Sequence, residues 1–134
     1  WLLANKRHAD LAGSVEFTNF RILPREVIRM PMLALHELAH GYHDQVLGFD
    51  HAEVEAAYRR ARDSGSYDAV ERPSSGKKEK AYAMSNAKEY FAETTEAYFG
   101  VNDFFPFNRE DLKKHDPRMF KLLEKLWFQG ETSR

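Results

Sequence analysis

Five consecutive residues, His36-Glu37-Leu38-Ala39-His40, have the types and spacing to hold a metal ion and to use it. Side chains at i and i+4 of a helix lie about 40° apart around the axis, so both imidazoles project from one face. Two nitrogens placed this way can bind one zinc ion at roughly 2.0–2.1 Å each. Glu37 lies about 100° from His36, where its carboxylate can take a proton from a water molecule on the metal. Chance would produce about 0.025 such matches in a chain of this composition.

Two further polar residues follow this motif on the same helix. His43 shares the face of His40, three residues earlier, and we predict that it lines the cleft or contacts a metal ligand. The third histidine of an extended H-E-x-x-H-x-x-G-x-x-H site would be at position 46, where the chain has Val46. Asp44 could orient a ligand imidazole or be solvated, and the sequence leaves both alternatives open.

A catalytic zinc ion needs a third protein ligand and an open position for water. Residues 86–99 supply candidates, because Glu89, Glu93 and Glu96 at i, i+4 and i+7 lie on one helix face. Such carboxylates repel one another unless a cation or hydrogen-bond donors face them. Alternatively, Glu89 closes a capping box with Asn86 and the other two glutamates are surface residues. The many apolar neighbours predict a buried helix, so we expect one of the three to bind the metal.

The elements that must position these residues are mostly helices. The metal-motif helix is predicted to begin near Pro31 and to end at Gly48, with its buried face formed by Met32, Leu35, Ala39, Tyr42 and Val46. Further helices are predicted at residues 52–62, 86–99 and 117–128. A weak strand is predicted at 15–20. Extended segments at 67–70 and 80–83 flank a polar loop at 72–80. The predicted fold class is therefore α+β, predominantly helical, with a small β-sheet or hairpin.

Composition narrows the function classes. The 134 residues suit one domain, with 43% hydrophobic and 31% charged residues, and we expect residues 1–134 to form it. Because the chain begins with Trp1, we expect a processed product or a fragment of a longer chain. The net charge of −1 gives no electrostatic reason to bind nucleic acid or an anionic membrane. The absence of cysteine excludes disulfides, cysteine-ligated zinc and a cysteine nucleophile.

Two blocks carry a family resemblance. HELAH at residues 36–40, followed by YAMSNAKEYFAE at 82–93, resembles the gluzincin peptidases related to anthrax lethal factor and the secreted Pro-Pro endopeptidases. Residues 36–50 and 88–107 are also similar to uncharacterised bacterial zinc peptidases. The resemblance implies a zincin-like domain with one zinc ion per chain and Glu89 as the third ligand. It also implies that Glu93 supports a ligand and that Tyr82 stabilises the tetrahedral intermediate. Glu96, on the same helix face, is predicted to lie in the cleft or beside a ligand.

We therefore predict a zinc-dependent endopeptidase that acts on a peptide or protein substrate, with Glu37 as general base and Tyr82 as oxyanion donor. A gluzincin normally has a β-sheet before its metal helix, and only residues 15–20 offer such a strand here. Two alternatives remain: a non-catalytic, zinc-stabilised protein-binding domain that uses residues 104–107, or a zinc hydrolase of a non-peptide amide. Glu37 argues against the first, because a structural site needs no base. Relatives by resemblance are often secreted, which favours an extracytoplasmic location.

Overall fold

The computed structural model describes residue 21 and residues 23–128, and it confirms a predominantly helical α+β fold. Its elements are α1 Leu23–Arg29, α2 Leu33–Tyr42, a π-helical turn His43–Leu47, α3 Ala52–Ser64, β1 Val70–Arg72, β2 Lys77–Glu79, a 3-10 turn Tyr82–Met84, α4 Ala87–Phe99, α5 Arg109–His115 and α6 Pro117–Trp127. The two strands form an antiparallel hairpin. Among the described residues, no helix is long and apolar enough to cross a membrane. The strand predicted at residues 15–20 lies outside the described part of the chain.

Helices α4 and α6 each begin at a side chain that accepts hydrogen bonds from N–H groups of the first turn, as α5 does at Asn108. Asn86 accepts from the backbone nitrogen of Glu89 at 3.0 Å at the start of α4. Asp116 accepts from the backbone nitrogen of Met119 at 3.0 Å at the start of α6. These N–H groups have no partner within their helix, so the caps fix where each helix starts. The predicted starts of both helices are confirmed.

The metal-motif helix is present between Pro31 and Gly48, but it starts at Leu33 and changes its winding at His43. In a π-helical turn the hydrogen bonds run from residue i to i+5, so each residue rotates less around the axis. The side chains after the change therefore leave the predicted arc. Val46, predicted on the buried face, is 64% exposed, whereas His43 is fully buried.

Two elements differ more from the prediction. The helices α1 and α5 are not predicted, because each has only seven residues and so shows little of the apolar period. The hairpin is confirmed, but its strands lie nearer the turn than the predicted segments 67–70 and 80–83. Most of the polar stretch 72–80 is thus paired strand and turn. One of its residues, Arg72, lines the cavity that also contains His36 and His40.

Helix α4 forms the centre of the core, because every residue from 90 to 98 is buried. The helices α2, α3, α5 and α6 all pack against it. Trp127 of α6 stacks on Tyr42 of α2 at a ring-centroid distance of 4.1 Å and on Phe91 of α4 at 5.9 Å. This apolar support holds α2 against α4, so the faces that carry the histidines and the glutamates meet.

The start of α2 and the end of α4 approach each other closely. Gly100 follows α4, and a Cβ atom built on it would lie 2.5 Å from Sδ of Met32, just before α2. Real Cβ atoms do not make contacts this short, so a larger residue at position 100 would require the Met32 side chain to shift. The contact lies beyond the glutamates along α4 and before the histidines along α2.

Candidate metal centre

Three side chains from α2 and α4 converge at one side of a cleft. Nε2 of His36 lies 3.1 Å from Nε2 of His40 and 3.1 Å from Oε2 of Glu89. Nε2 of His40 lies 3.4 Å from the same oxygen of Glu89, which completes a triangle. Ligand atoms at 2.0–2.1 Å from a tetrahedral zinc ion are about 3.3–3.4 Å apart. The triangle therefore has the donor atoms and the size to hold a metal ion.

The local structure explains why these atoms meet. His36 and His40 are one turn apart on α2, and their rings meet edge to face at 4.7 Å. The cap at Asn86 makes Glu89 the third residue of α4, at the open end of the helix's acidic face. Exposure falls along that face, from 17% for the side chain of Glu89 to 1% for Glu93 and 2% for Glu96.

The other ring nitrogen of His36, Nδ1, is hydrogen-bonded to a glutamate of α4. Its Nδ1 donates a hydrogen bond to Oε1 of Glu96 at 2.5 Å, which leaves Nε2 directed at the triangle. Glu93, the residue to which the resemblance assigned a supporting role, lies 3.8 Å from the same Nδ1. Its Oε2 is buried and has no hydrogen-bond partner. The direct support of His36 therefore comes from the glutamate one turn further along α4.

Burial and the neighbouring charges together shift the pKa of His36, Glu89 and Glu93. Burial alone would lower the pKa of His36, but hydrogen bonds with Glu89 and Glu96 outweigh it and raise the pKa to about 10. Burial would raise the pKa of Glu89, but hydrogen bonds with His36 and His40 lower it to about 2. Burial, reinforced by the charge of Glu96, raises the pKa of Glu93 to about 8. The raised pKa of His36 and the lowered pKa of Glu89 both indicate a site that favours a positive charge.

The cleft that contains the triangle has a volume of about 590 Å³. Glu37 lines it, half-buried, next to the histidines along α2. Tyr82, 49% exposed, also lines it from the 3-10 turn that precedes α4. The charge of Glu89 and then burial raise the pKa of the Tyr82 hydroxyl, which keeps the phenol protonated. The structure therefore brings together the two residues predicted to do chemistry and the three predicted to bind a metal ion.

His43 and Asp44 are not part of this arrangement. His43, predicted to line the cleft or to contact a metal ligand, is instead fully buried, with its ring centroid 4.8 Å from that of Phe91 and 5.3 Å from that of Phe49. The π-helical turn that begins at His43 turns the side chain into the core. Both ring nitrogens lack partners, and burial lowers the pKa of His43 to about 4. Asp44 is exposed and accepts a hydrogen bond from Gln45, so the solvated alternative applies.

The sequence analysis missed the far wall of the cleft. Arg72 at the end of β1 and Asp103 with Phe104 in the loop after α4 line the same cavity. These residues are far from the metal motif in sequence and belong to no recognisable pattern. Phe104, one of the residues 104–107 that the alternative assigned to partner binding, is 95% buried in the core, whereas Phe105 and Phe107 are partly exposed. Their place in the site follows from tertiary packing alone.

Comparisons with known proteins give one match. The model of the family described as anthrax toxin lethal factor, N- and C-terminal domain, matches residues 29–126. This range includes the triangle, Glu37, Tyr82 and the far wall of the cleft. No curated protein and no solved structure matches the chain.

Proposed function

Because the chain belongs to the anthrax toxin lethal factor, N- and C-terminal domain family, we propose that it is a zinc-dependent metallopeptidase of the gluzincin type. The single observation that carries the proposal is the triangle of His36, His40 and Glu89, whose three edges are 3.1, 3.1 and 3.4 Å. Two imidazoles and one carboxylate leave a fourth position free for water or substrate, as in catalytic zinc sites.

The donor set favours zinc over the hard cations. Calcium takes six to eight oxygen ligands and magnesium keeps several waters in octahedral geometry, whereas imidazole suits zinc and other transition metals. Nδ1 of His36 is already bonded to Glu96, so Nε2 is the nitrogen left for the metal. Zinc held here would polarise the scissile carbonyl and lower the pKa of a water molecule to about 7.

Glu37 is the proposed general base. It follows His36 on α2, lines the cleft and takes no part in the ligand triangle. From this position its carboxylate accepts a proton from the attacking water and later returns it to the leaving amine. A proton acceptor placed this way typically accelerates a reaction about 10²–10⁴-fold.

Tyr82 is the proposed oxyanion donor. Its side chain lies at the cleft, and its protonated hydroxyl can donate to the oxygen of the tetrahedral intermediate. A donor that acts mainly in the transition state contributes about 2.7–4 kcal/mol. Replacing Tyr82 with phenylalanine should therefore lower kcat with little change in KM or metal content.

The experiment that tests the function has two measurements on the same protein. Elemental analysis of protein purified without chelator or added metal should find about one zinc ion per chain. A mixture-based peptide library should be cleaved by this protein and not by Glu37→Gln protein, which keeps the size of the side chain and the metal.

The controls separate the remaining alternatives. Cleavage of simple non-peptide amides but of no peptide would assign a different hydrolase. Full zinc content with no hydrolysis of either class would indicate a non-catalytic domain. Failure to bind zinc even on titration would contradict the proposal altogether.

A further inference from the structure

We propose that Arg72 binds the main chain of the substrate. Its guanidinium group would donate a hydrogen bond to a peptide carbonyl oxygen. The inference rests on the proposed function, because it requires a peptide in the cleft. Arg72 ends β1 and lines the cavity that contains the metal triangle. Among the described residues that line this cavity, it is the only arginine or lysine.

Three neighbours hold the guanidinium group without using all its donors. Nη2 lies 3.4 Å from Oδ2 of Asp103, and Nη1 lies 3.7 Å from Oε1 of Glu79. The central carbon lies 4.4 Å from the centroid of the Phe104 ring, a distance suited to cation–π attraction. A guanidinium group has five N–H donors, so these two long contacts leave a donor on each Nη atom for a further acceptor. Nε is buried and has no hydrogen-bond partner.

The far wall that positions Arg72 is itself held by hydrogen bonds to backbone carbonyl groups. The nitrogen of Phe105 donates to the carbonyl oxygen of Glu71 at 2.9 Å, which joins the loop after α4 to β1. Asn102 donates from Nδ2 to the carbonyl oxygen of Phe104 at 3.0 Å, which fixes the loop. The guanidinium group is therefore held in place before a substrate arrives, and such preorganisation lowers the entropic cost of binding.

The charges of the cleft indicate which acceptor Arg72 meets. The carboxylates of Glu37, Glu89 and Asp103 line the same cavity, so an acidic substrate side chain would be repelled there. A main-chain carbonyl carries no net charge, and every peptide offers one at each residue. Arg72 would thus hold the backbone of the substrate without reading its sequence.

The test compares Arg72→Met with Arg109→Met in zinc-loaded protein, using a peptide that the parent protein cleaves. Arg109 is a matched control, because its guanidinium carbon lies 4.2 Å from the centroid of the Tyr98 ring and Nη2 lies 3.4 Å from Glu124. It does not line the cleft. We expect Arg72→Met to raise KM about 10–100-fold with a smaller change in kcat, as for the loss of a charged donor that binds ground state and transition state alike. Arg109→Met should leave KM unchanged.

A substrate series sharpens the test. The rise in KM should be the same for peptides with different side chains, and it should vanish when the peptide is shortened past the residue that supplies the carbonyl. Arg72→Lys keeps the charge but loses the planar fork, so it should raise KM about 10-fold. The lysine variant also provides the readout if Arg72→Met does not fold.

Three other outcomes of this experiment would each contradict a specific claim. Unchanged KM in both Arg72 variants, with the parent protein active, removes this role and leaves the proposed function standing. A rise confined to peptides with an acidic residue would mean that Arg72 reads a side-chain carboxylate, against the inference. If the parent protein cleaves no peptide, the function and this inference fall together.

Discussion

Two clusters that contain acidic side chains contact helix α4 at its consecutive residues Glu89 and Tyr90. The hydrogen-bond acceptors of the two clusters are matched by donors in different ways. Tyr90 faces Asp116, whose Oδ2 accepts hydrogen bonds from the hydroxyl of Tyr90 at 2.6 Å and of Tyr67 at 3.3 Å. The other oxygen of Asp116 accepts from the backbone nitrogen of Met119 at 3.0 Å. One carboxylate thus has three neutral donors, and this cluster needs no further partner.

Glu89, the preceding residue, faces the other cluster. Here Glu89 and Glu96 are hydrogen-bonded to imidazoles, whereas Glu93 lies 3.8 Å from Nδ1 of His36 and near the side chain of Asn102, and its Oε2 has no partner. Burying three carboxyl groups side by side, one of them with an unpaired oxygen, is costly unless a cation compensates. The difference teaches that a buried acid supports the fold where its donors are complete, and indicates a binding site where they are not.

Among the variants that test this comparison, the largest effect is expected when the third proposed ligand is removed. Glu89→Ala should weaken zinc binding by about three orders of magnitude or more, because it removes one of three direct protein ligands. Competition with a chromophoric chelator measures the affinity, and Glu93→Ala is the matched variant one turn away on α4. A larger loss for Glu93→Ala would show that the ligand is misassigned by one turn.

Asp116→Ala should have the next largest effect, on stability rather than on metal binding. The change removes the cap of α6 and leaves the buried hydroxyls of Tyr67 and Tyr90 unpaired, so the free energy of unfolding should fall by about 2–5 kcal/mol. Denaturant titration of the metal-free protein gives this value. Asn108→Ala removes only a cap, that of α5, and should cost about 0.5–2 kcal/mol. Reduced zinc affinity of folded Asp116→Ala protein would contradict the separation of the two clusters.

Glu96→Gln should weaken zinc binding about 10–100-fold, because it removes the carboxylate that orients His36. Glu93→Gln should have a smaller effect, since Glu93 lies 3.8 Å from the same nitrogen. The same chelator competition measures both variants. Equal losses for the two would mean that the cluster acts through its total charge and not through the single hydrogen bond.

The smallest expected effect is a change in the pH dependence of stability, and it comes from His43. Its pKa is lowered from 6.5 to about 4 in the folded protein, so the unfolded chain binds more protons between these pH values. Stability is therefore lost as pH falls from about 6.5 towards 4, by about 1–2 kcal/mol at pH 5. His43→Leu should remove this part of the pH dependence in denaturant titrations at pH 7 and pH 5. An unchanged difference between the two pH values would show that His43 is not the residue responsible.

Local patterns predict the near side of the site well and the far side not at all. The spacing of His36 and His40, and the caps at Asn86 and Asp116, are short-range features whose geometry a helix determines. The π-helical turn defeats the prediction for His43, because a local change of winding leaves no periodic signal. Arg72 reaches the cleft only because the loop after α4 packs against β1, which no pattern within either segment encodes.

The close approach of Gly100 and Met32 has a consequence for which ions the protein would accept. The contact joins the start of α2 to the end of α4 at a point where neither helix carries a proposed ligand, so apolar packing helps to set the size of the triangle. An ion that prefers longer bonds would have to move two packed helices apart, and close packing makes such a movement costly. An alanine at position 100 would displace the flexible end of the Met32 side chain, so any change in metal preference would arise from packing and not from a ligand.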